Sequence, residues 1–131
     1  MSLLEEYVRE MGADVELDEF NLKESQMKLP AIKHKWAGRL IRHKQDIHIT
    51  QSERRSLVKT LVEKIQSTAE YKVTIPAAEK VAYKHEDVLK LSDKIRDYEL
   101  VIEFLEKCDR IFNSMTYDIK NLIEIIKMET L

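Results

Sequence analysis

The chain has 131 residues, 35% of them charged and 44% apolar, with a formal net charge of −2. It contains two glycines, two prolines and one cysteine, which excludes an internal disulfide framework and leaves too little glycine for a nucleotide-cradling loop. We therefore expect one domain of long, solvent-exposed helices in a reducing, intracellular compartment, neither secreted nor inserted in a membrane.

Charge is segregated along the chain. Residues 1–22 carry one basic and seven acidic side chains, residues 23–90 carry fifteen and eight, and residues 91–131 carry six and nine. A basic middle between two acidic ends is typical of a single polyanion-binding surface on an otherwise soluble protein.

The acidic N-terminal segment spans residues 1–22. Apolar residues at helical spacing predict a short helix from Leu3 to Met11, and Gly12 is expected to end it. The acidic stretch from Asp14 to Phe20 alternates only loosely, so we interpret it as a connector.

The second segment is a long basic helix, residues 28–66, predicted to run from near Pro30 to Gln66. Pro30 suits the first turn, where its missing N–H is not needed. At 1.5 Å per residue such a helix is about 50 Å long, so we expect it to pack on a second long helix or on neighbouring molecules. Its apolar stripe contains Leu29, Ile32, Trp36, Leu40, Ile47, Val58, Leu61 and Ile65, with His43 among them.

A basic stripe lies beside this apolar stripe. Lys28, Lys35, Arg39 and Arg42 share one face, and residues 28–45 contain no acid. We interpret the stripe as having no acid three or four residues away to relieve it, and like charges at that spacing destabilise a helix by about 0.2–0.5 kcal/mol per pair. A polyanion would remove that penalty. The alternative is an ordinary solvated helix face.

The connector, residues 67–85, contains the only strand-like piece. Tyr71 to Ile75 is short, β-branched and alternating, and Pro76 is expected to end it. A small hairpin or extended crossover is therefore predicted where the chain reverses, followed by a further helix that begins within Ala77–Leu91.

Residues 86–131 are predicted to form the C-terminal helices. Two apolar seams run side by side from Leu91 to Met115, which calls for two packing partners, and Asn113-Ser114 is expected to break the helix before a short last one. A monomeric bundle is the alternative, but we predict self-association through Val101, Phe104, Cys108, Ile111, Ile119, Leu122, Ile123 and Ile126. The predicted fold class is mainly α: an antiparallel hairpin of long amphipathic helices with a short β segment at the reversal and a C-terminal oligomerisation helix.

No catalytic or metal-binding constellation is evident in the sequence. The four histidines have no cysteine or carboxylate at metal-ligand spacing, so neither a metal nor a cofactor is expected. Cys108 lies in an apolar seam, which favours a core position over a role as nucleophile. The chain is therefore interpreted as a binding or assembly protein and not as an enzyme.

Nucleic acid is the favoured polyanion. The basic stripe would contact phosphates, which supply the sequence-independent part of affinity. Trp36 could stack on a base, although its place in the apolar stripe favours the core. Without a base-reading motif we expect weak sequence preference, and repetition of the stripe around an oligomer would raise affinity by avidity.

Several short stretches, taken in order and with the chain length, resemble a known family. They are Leu4-Glu5-Glu6, Asp14-Val15, Leu17-Asp18, Lys35-Trp36, Arg54-Arg55 before Leu57-Val58-Lys59, Asp87-Val88-Leu89-Lys90, Glu103-Phe104 and Ile119-Lys120. Over essentially its whole length, the chain resembles the UvsY family, the recombination mediator proteins of T-even-type bacteriophages.

The resemblance implies a ring-like homo-oligomer, hexameric or heptameric, that assembles through its C-terminal helices and binds single-stranded DNA. It also implies loading of a RecA-like recombinase onto strands coated by single-stranded DNA-binding protein, in the cytoplasm of the infected bacterial host, without hydrolysis. The acidic N-terminal segment and the acids of Leu91–Phe112 are candidate protein contacts.

Family DNA binding is associated with a Lys-Ala-Arg-Leu stretch late in the long helix. The matching residues here are Lys59-Thr60-Leu61-Val62, so the lysine is kept and leucine replaces the arginine. Arg54, Arg55 and the basic stripe could supply the missing charge. The candidate DNA-binding residues are Lys28, Lys35, Arg39, Arg42, Arg54, Arg55 and Lys59.

Two other functions fit the same pattern. A prefoldin-like helical chaperone or scaffold would also have a long helix, a short β reversal and a second long helix, with protein as its partner; its binding would not depend on salt. A regulatory subunit whose seams bind another protein's helices would be a monomer when purified alone.

Overall fold

A computed structural model describes residues 2–130, and within that range the chain folds into α-helices joined by short connections. The helices are α1 (Leu3–Asp14), α2 (Leu22–Thr68), α3 (Ile75–Ala82) and α4 (Glu86–Thr130). The mainly α fold class is therefore confirmed. Between residues 2 and 130 there is no β-strand, so the short β segment predicted at the reversal is wrong.

Helix α1 begins with a capping interaction and runs past the glycine that was expected to end it. The Ser2 hydroxyl oxygen accepts a hydrogen bond from the backbone N–H of Glu5 at 3.2 Å, which satisfies one of the free donors of the first turn. Gly12 lies inside the helix, which ends at Asp14. A single glycine costs a helix only about 1 kcal/mol, and beyond it the contacts of Asp14 with Lys35 and Trp36 hold the last turn.

Helix α2 begins earlier than predicted. It starts at Leu22, so Pro30 lies inside the helix and not in its first turn. Proline removes the hydrogen bond to the carbonyl four residues earlier, that of Gln26. Both residues are exposed, so water can reach the carbonyl. On the other face, burial of Leu22 and Leu29 continues the helix through the proline.

The segment predicted as a strand leads into a helix: residues 71–74 form a connection without a strand, and Ile75 is the first residue of α3. Thr74 is the N-cap of α3; its side chain accepts from the backbone N–H of Ala77 at 3.4 Å, and Pro76 occupies the first turn. Proline and a threonine cap favour the beginning of a helix. This local signal outweighs the β-branched character of residues 72–75.

Helix α4 is continuous, so the predicted break at Asn113-Ser114 is wrong. Both residues are exposed, and the Ser114 hydroxyl donates to the carbonyl of Ile111 at 2.9 Å. Phe112 and Met115 on either side are buried. Their burial is worth about 1.5–3 kcal/mol each, more than the few tenths that asparagine and serine cost a helix.

The chain divides into two compact units. Among the described residues, the first contains 2–42 and 100–130, and the second contains 43–99. In the first unit α2 and α4 are antiparallel: Lys33 contacts Thr116, and Trp36 stacks on Phe112 at a centroid distance of 5.9 Å. The buried core of this unit consists of Met11, Leu22, Leu29, Trp36, Val101, Leu105, Cys108, Phe112, Met115 and Ile119.

The second unit has its own small core. The alanines Ala78 and Ala82 of α3 are fully buried against Val58 and Val62 of α2, with Val88 of α4 completing the cluster. Alanine at both contact positions lets α3 approach α2 closely. The side chain of Gln66 donates to the carbonyl of Val73 at 3.0 Å, which fixes the entry into α3. From there α3 runs back along the last turns of α2.

Candidate nucleic-acid interface

The first cation of the predicted basic stripe is paired within its own helix. Lys28 Nζ lies 2.5 Å from Glu24 Oε1, an i,i+4 pair in which both side chains are about two-thirds exposed. The ammonium group of Lys28 lowers the pKa of Glu24 through this hydrogen bond. The interpretation that no acid lies three or four residues away was therefore wrong at this position, because Glu24 precedes the acid-free stretch.

Lys35 and Arg39 are paired with acids of α1. Lys35 Nζ lies 2.6 Å from Asp14 Oδ2 and 3.2 Å from Glu10 Oε1. Arg39 donates to both carboxylate oxygens of Glu10, with Nη2 3.2 Å from Oε1. The hydrogen bond to Arg39 is the main reason why the pKa of Glu10 is lowered, and the same bond raises the pKa of Arg39. The like-charge penalty on this part of α2 is thus relieved by the chain's own acids.

Trp36 is the centre of the same network and is only 1% exposed. Its indole N–H donates to Asp14 Oδ2 at 2.8 Å. Its ring meets Tyr7 edge-on at 5.6 Å, and the Arg39 guanidinium lies 4.8 Å from the ring centroid. The predicted core position of Trp36 is confirmed, and the ring is closed to a nucleobase.

The remaining predicted DNA-binding residues differ in availability. Arg54 donates to the hydroxyl of Ser92 at 3.2 Å. Arg42, Arg55 and Lys59 are exposed, and none has an ion-pair or hydrogen-bond partner among the side chains of residues 2–130. A cation in this state can take up a phosphate without first breaking an internal contact.

Arg55 and Lys59 border a groove between α2 and α3 in the second unit. The groove has a volume of about 430 Å³, and its walls also carry Gln66, Ile75, Glu79 and Tyr83. Val58 and Val62 form part of its lining, so its base is apolar. The hydrogen bond between Gln66 and Val73 places the start of α3 beside the end of α2. Because α3 then runs antiparallel to α2, its C-terminal end, with Tyr83, lies toward Arg55 and Lys59. Glu63 and Glu79 also line it.

The stretch that matches the family's DNA-binding motif is only partly on the surface. Lys59 and Thr60 are exposed, whereas Leu61 is half-buried against the core of the second unit and Val62 is buried. The position of the motif's arginine therefore holds an apolar side chain that packs inward. Of the four residues, Lys59 alone offers a positive charge.

The residues predicted to mediate oligomerisation fall into two groups. Val101, Cys108 and Ile119 are buried by side chains of the same chain, and Phe104, Leu122, Ile123 and Ile126 are half-buried against that core. Ile111 is 43% exposed. Beyond the predicted set, Ile125 and Met128 are 51% and 74% exposed. The apolar surface of α4 that is open to a neighbour is therefore narrower than the two seams suggested.

The described residues offer neither a metal-binding cluster nor a reactive thiol. Residues 2–130 contain no group of three or more histidine, cysteine or acidic side chains placed to hold a metal ion. Burial raises the pKa of the Cys108 thiol to about 11, which leaves it almost wholly protonated and a poor nucleophile near neutral pH. No helix in the described range is both long and apolar enough to cross a membrane.

Sequence reasoning did not identify Glu10 and Asp14 as partners of the basic stripe. The signal was present as opposite charge: an acidic segment of net charge −6 precedes a basic one in the same chain. A helical wheel compares residues of one helix only and cannot pair two helices. The groove residue Tyr83 was also missed, because its segment was interpreted as a connector.

Comparison with known proteins identifies the fold and the family. The sequence model of the family described as "Recombination, repair and ssDNA binding protein UvsY" matches residues 10–130. Two crystal structures of the recombination mediator protein UvsY of bacteriophage T4 share the fold. The lattice type IV structure has a TM-score of 0.84 and 17% identity, covering 98% of this chain and 99% of that one. The lattice type II structure has a TM-score of 0.81 and 16% identity, covering 100% and 99%.

A search of curated protein sequences gives no significant match. The likeness to the T4 structures, at these identities, establishes a common fold. The family match extends over nearly the whole chain, and it agrees with the stretches that resemble the family in the sequence. The chain therefore belongs to the UvsY family of recombination, repair and single-stranded DNA-binding proteins.

Proposed function

We propose that this protein is a recombination mediator that binds single-stranded DNA and has no catalytic activity of its own. The main observation in its support is that Arg55 and Lys59, in a chain of this family, are exposed and unpaired among the described side chains. The two cations lie one helical turn apart on α2. Phosphates of a single strand are the natural ligands for such a pair.

The contribution of the individual cations follows from their contacts. Arg42, Arg55 and Lys59 bind phosphates directly, whereas Arg54 does so only after it releases Ser92. Lys28 sits in a solvent-exposed ion pair with Glu24; exposed pairs of this kind contribute little to stability, so a phosphate can replace the acid. Lys35 and Arg39 act mainly to hold α1, since their contacts to Glu10 and Asp14 join two helices around the buried Trp36.

The assembly completes the proposal. The protein forms a ring-like homo-oligomer through exposed apolar residues of α4, including Ile111, and each subunit presents its cations to the same strand. Contacts that are weak singly then add by avidity. The ring bends or wraps the strand, loosens the single-stranded DNA-binding protein that coats it, and favours loading of a RecA-like recombinase in the cytoplasm of the infected host.

The prefoldin-like alternative lacks one of the features on which it was based. It depended on a β reversal between two long helices, and residues 69–74 lead directly into α3 without a strand. The connection between α2 and α4 contains the helix α3, whose Ala78 and Ala82 are buried.

The test is binding of labelled oligo-dT over a salt series, with the mass of the protein measured by light scattering in the same buffers. We expect tight binding by a closed oligomer and an affinity that falls steeply with salt, because each phosphate contact releases a counterion. Absence of binding at low salt would refute the DNA-binding role. Binding by a monomer would refute the ring.

A further inference from the structure

We propose that Tyr83 is a base-stacking residue of the groove between α2 and α3, so that this groove takes one nucleobase of a single strand while Arg55 and Lys59 hold the adjoining phosphates. The inference rests on the proposed DNA-binding function and adds to it a residue and a mode of contact. It names an aromatic contact at the C-cap of α3, a helix that carries none of the residues predicted from the sequence.

The position of Tyr83 in the fold is the first argument. Its side chain is 46% exposed, although Ala82 beside it and Ala78 one turn earlier are fully buried. The core of the second unit closes around those alanines and Val88 without the tyrosine ring. The ring therefore lies at the groove and contributes little to the packing beneath it.

The backbone that carries the ring is well held. The N–H of Tyr83 donates to the carbonyl of Glu79 at 2.9 Å, and His85 N–H donates to the carbonyl of Ala82 at 3.0 Å. Helix α4 begins directly afterwards, at Glu86. A ring on a fixed backbone loses little conformational freedom when a base stacks on it.

The charges around the groove are compatible with single-stranded DNA as its ligand. Arg55 and Lys59 line the groove together with Tyr83, and Lys84, which follows the tyrosine, is exposed. The acids of the groove are Glu63 and Glu79, of which Glu79 is one turn before Tyr83 on α3. Aromatic rings beside a positively charged track form the usual site for single strands, and stacking tolerates every base.

The experiment compares oligo-dT with an abasic strand of the same length and charge, for the wild-type protein and for Tyr83→Ala, Tyr83→Phe and Lys59→Ala. Tyr117→Ala is the matched control, since Tyr117 is 70% exposed on α4 and lies outside the groove. Circular dichroism and light scattering establish that each variant keeps its fold and mass.

We expect wild-type protein to prefer oligo-dT over the abasic strand, and Tyr83→Ala to reduce that preference by roughly fivefold or more. Tyr83→Phe and Tyr117→Ala should keep the preference. Lys59→Ala should weaken the binding of oligo-dT and of the abasic strand by the same factor. The salt dependence of Tyr83→Ala should equal that of wild type, because its phosphate contacts remain.

A Tyr83→Ala variant with the wild-type preference would overturn the stacking inference while leaving DNA binding intact, as would a wild-type protein that binds both strands equally. If wild-type protein bound neither strand, the proposed function would fail and the stacking inference would fail with it.

Discussion

The indole N–H of Trp36 donates a hydrogen bond to Asp14 Oδ2 at 2.8 Å, and this bond joins the core of the first unit to the end of α1. The same carboxylate oxygen accepts from Lys35 at 2.6 Å. One acid of the N-terminal segment thus satisfies a buried donor and a neighbouring cation together. Through these two contacts of Asp14, the acidic N-terminal segment packs on α2.

Replacing Asp14 with alanine should destabilise the protein by about 1–3 kcal/mol, because the buried indole N–H would lose its acceptor. Asp14→Asn keeps an acceptor and should cost less. Unfolding in urea, followed by tryptophan fluorescence, measures both. Glu16→Ala is the control: its side chain is exposed, and a change of less than about 0.5 kcal/mol is expected. Equal stability of Asp14→Ala and Glu16→Ala would contradict the role of the bond.

Stability should fall in acid through Glu10. Its pKa is lowered in the folded protein, chiefly by the hydrogen bond from Arg39, so the unfolded state binds the proton more readily. The stabilising contribution is complete above the unfolded pKa, near 4.5, and is lost as the pH falls through the lower folded pKa. Urea unfolding of wild type and Glu10→Gln between pH 7 and pH 3 tests this. The two proteins should differ most near pH 7 and converge in acid; a constant difference would contradict the linkage.

The cations should separate into two classes by mutation. Lys59→Ala should weaken oligo-dT binding and reduce the salt slope, by roughly 0.7 per lost phosphate contact for a single strand. Lys35→Ala should lower the free energy of unfolding and leave the salt slope unchanged, because Lys35 is engaged with Asp14 and Glu10. Lys107, an exposed lysine paired with Glu103, provides the control variant Lys107→Ala. A loss of slope in Lys35→Ala, with none in Lys59→Ala, would reverse this assignment.

Self-association should depend on the exposed apolar residues of α4. The double variant Ile111→Glu, Ile125→Glu places charges on side chains that are 43% and 51% exposed, so the single chain should still fold. We expect its mass by light scattering to fall, because a charge in an apolar interface is costly unless it is paired. Val8→Glu, at a 50% exposed position of α1, is the control. An unchanged mass in the double variant would place the interface elsewhere.

The helices could be predicted because the spacing of apolar residues along the sequence indicates which face of a helix is buried. The stripe through Leu29, Trp36 and Val58 is buried as the spacing indicated. The boundaries failed where a local rule competed with packing. Proline is typical of a first helical turn, but apolar contacts of Leu22 and Leu29 extend α2 to positions before Pro30. At the reversal, the cap of Thr74 with Pro76 outweighed a β-branched stretch.

The candidate site could be predicted only in part. Arg55 and Lys59 were selected through the resemblance, and both lie exposed on α2. The sequence shows that Lys35 and Arg39 form a positive stripe, but it does not show that both are ion-paired with acids of α1. Its partners belong to another helix, and no pattern within one helix indicates which helix packs on it.

The charge distribution of α1 has a consequence for its folding. Glu10 and Asp14 stand in its second half, and its last turn contains no basic residue. Acids near a helix C-terminus oppose the helix dipole, and a helix of 12 residues is marginal alone in water. Lys35 and Arg39 supply the missing positive charge from α2. The stability of α1 therefore depends on its docking to α2. We expect its backbone amides to exchange hydrogen with solvent before those of α2.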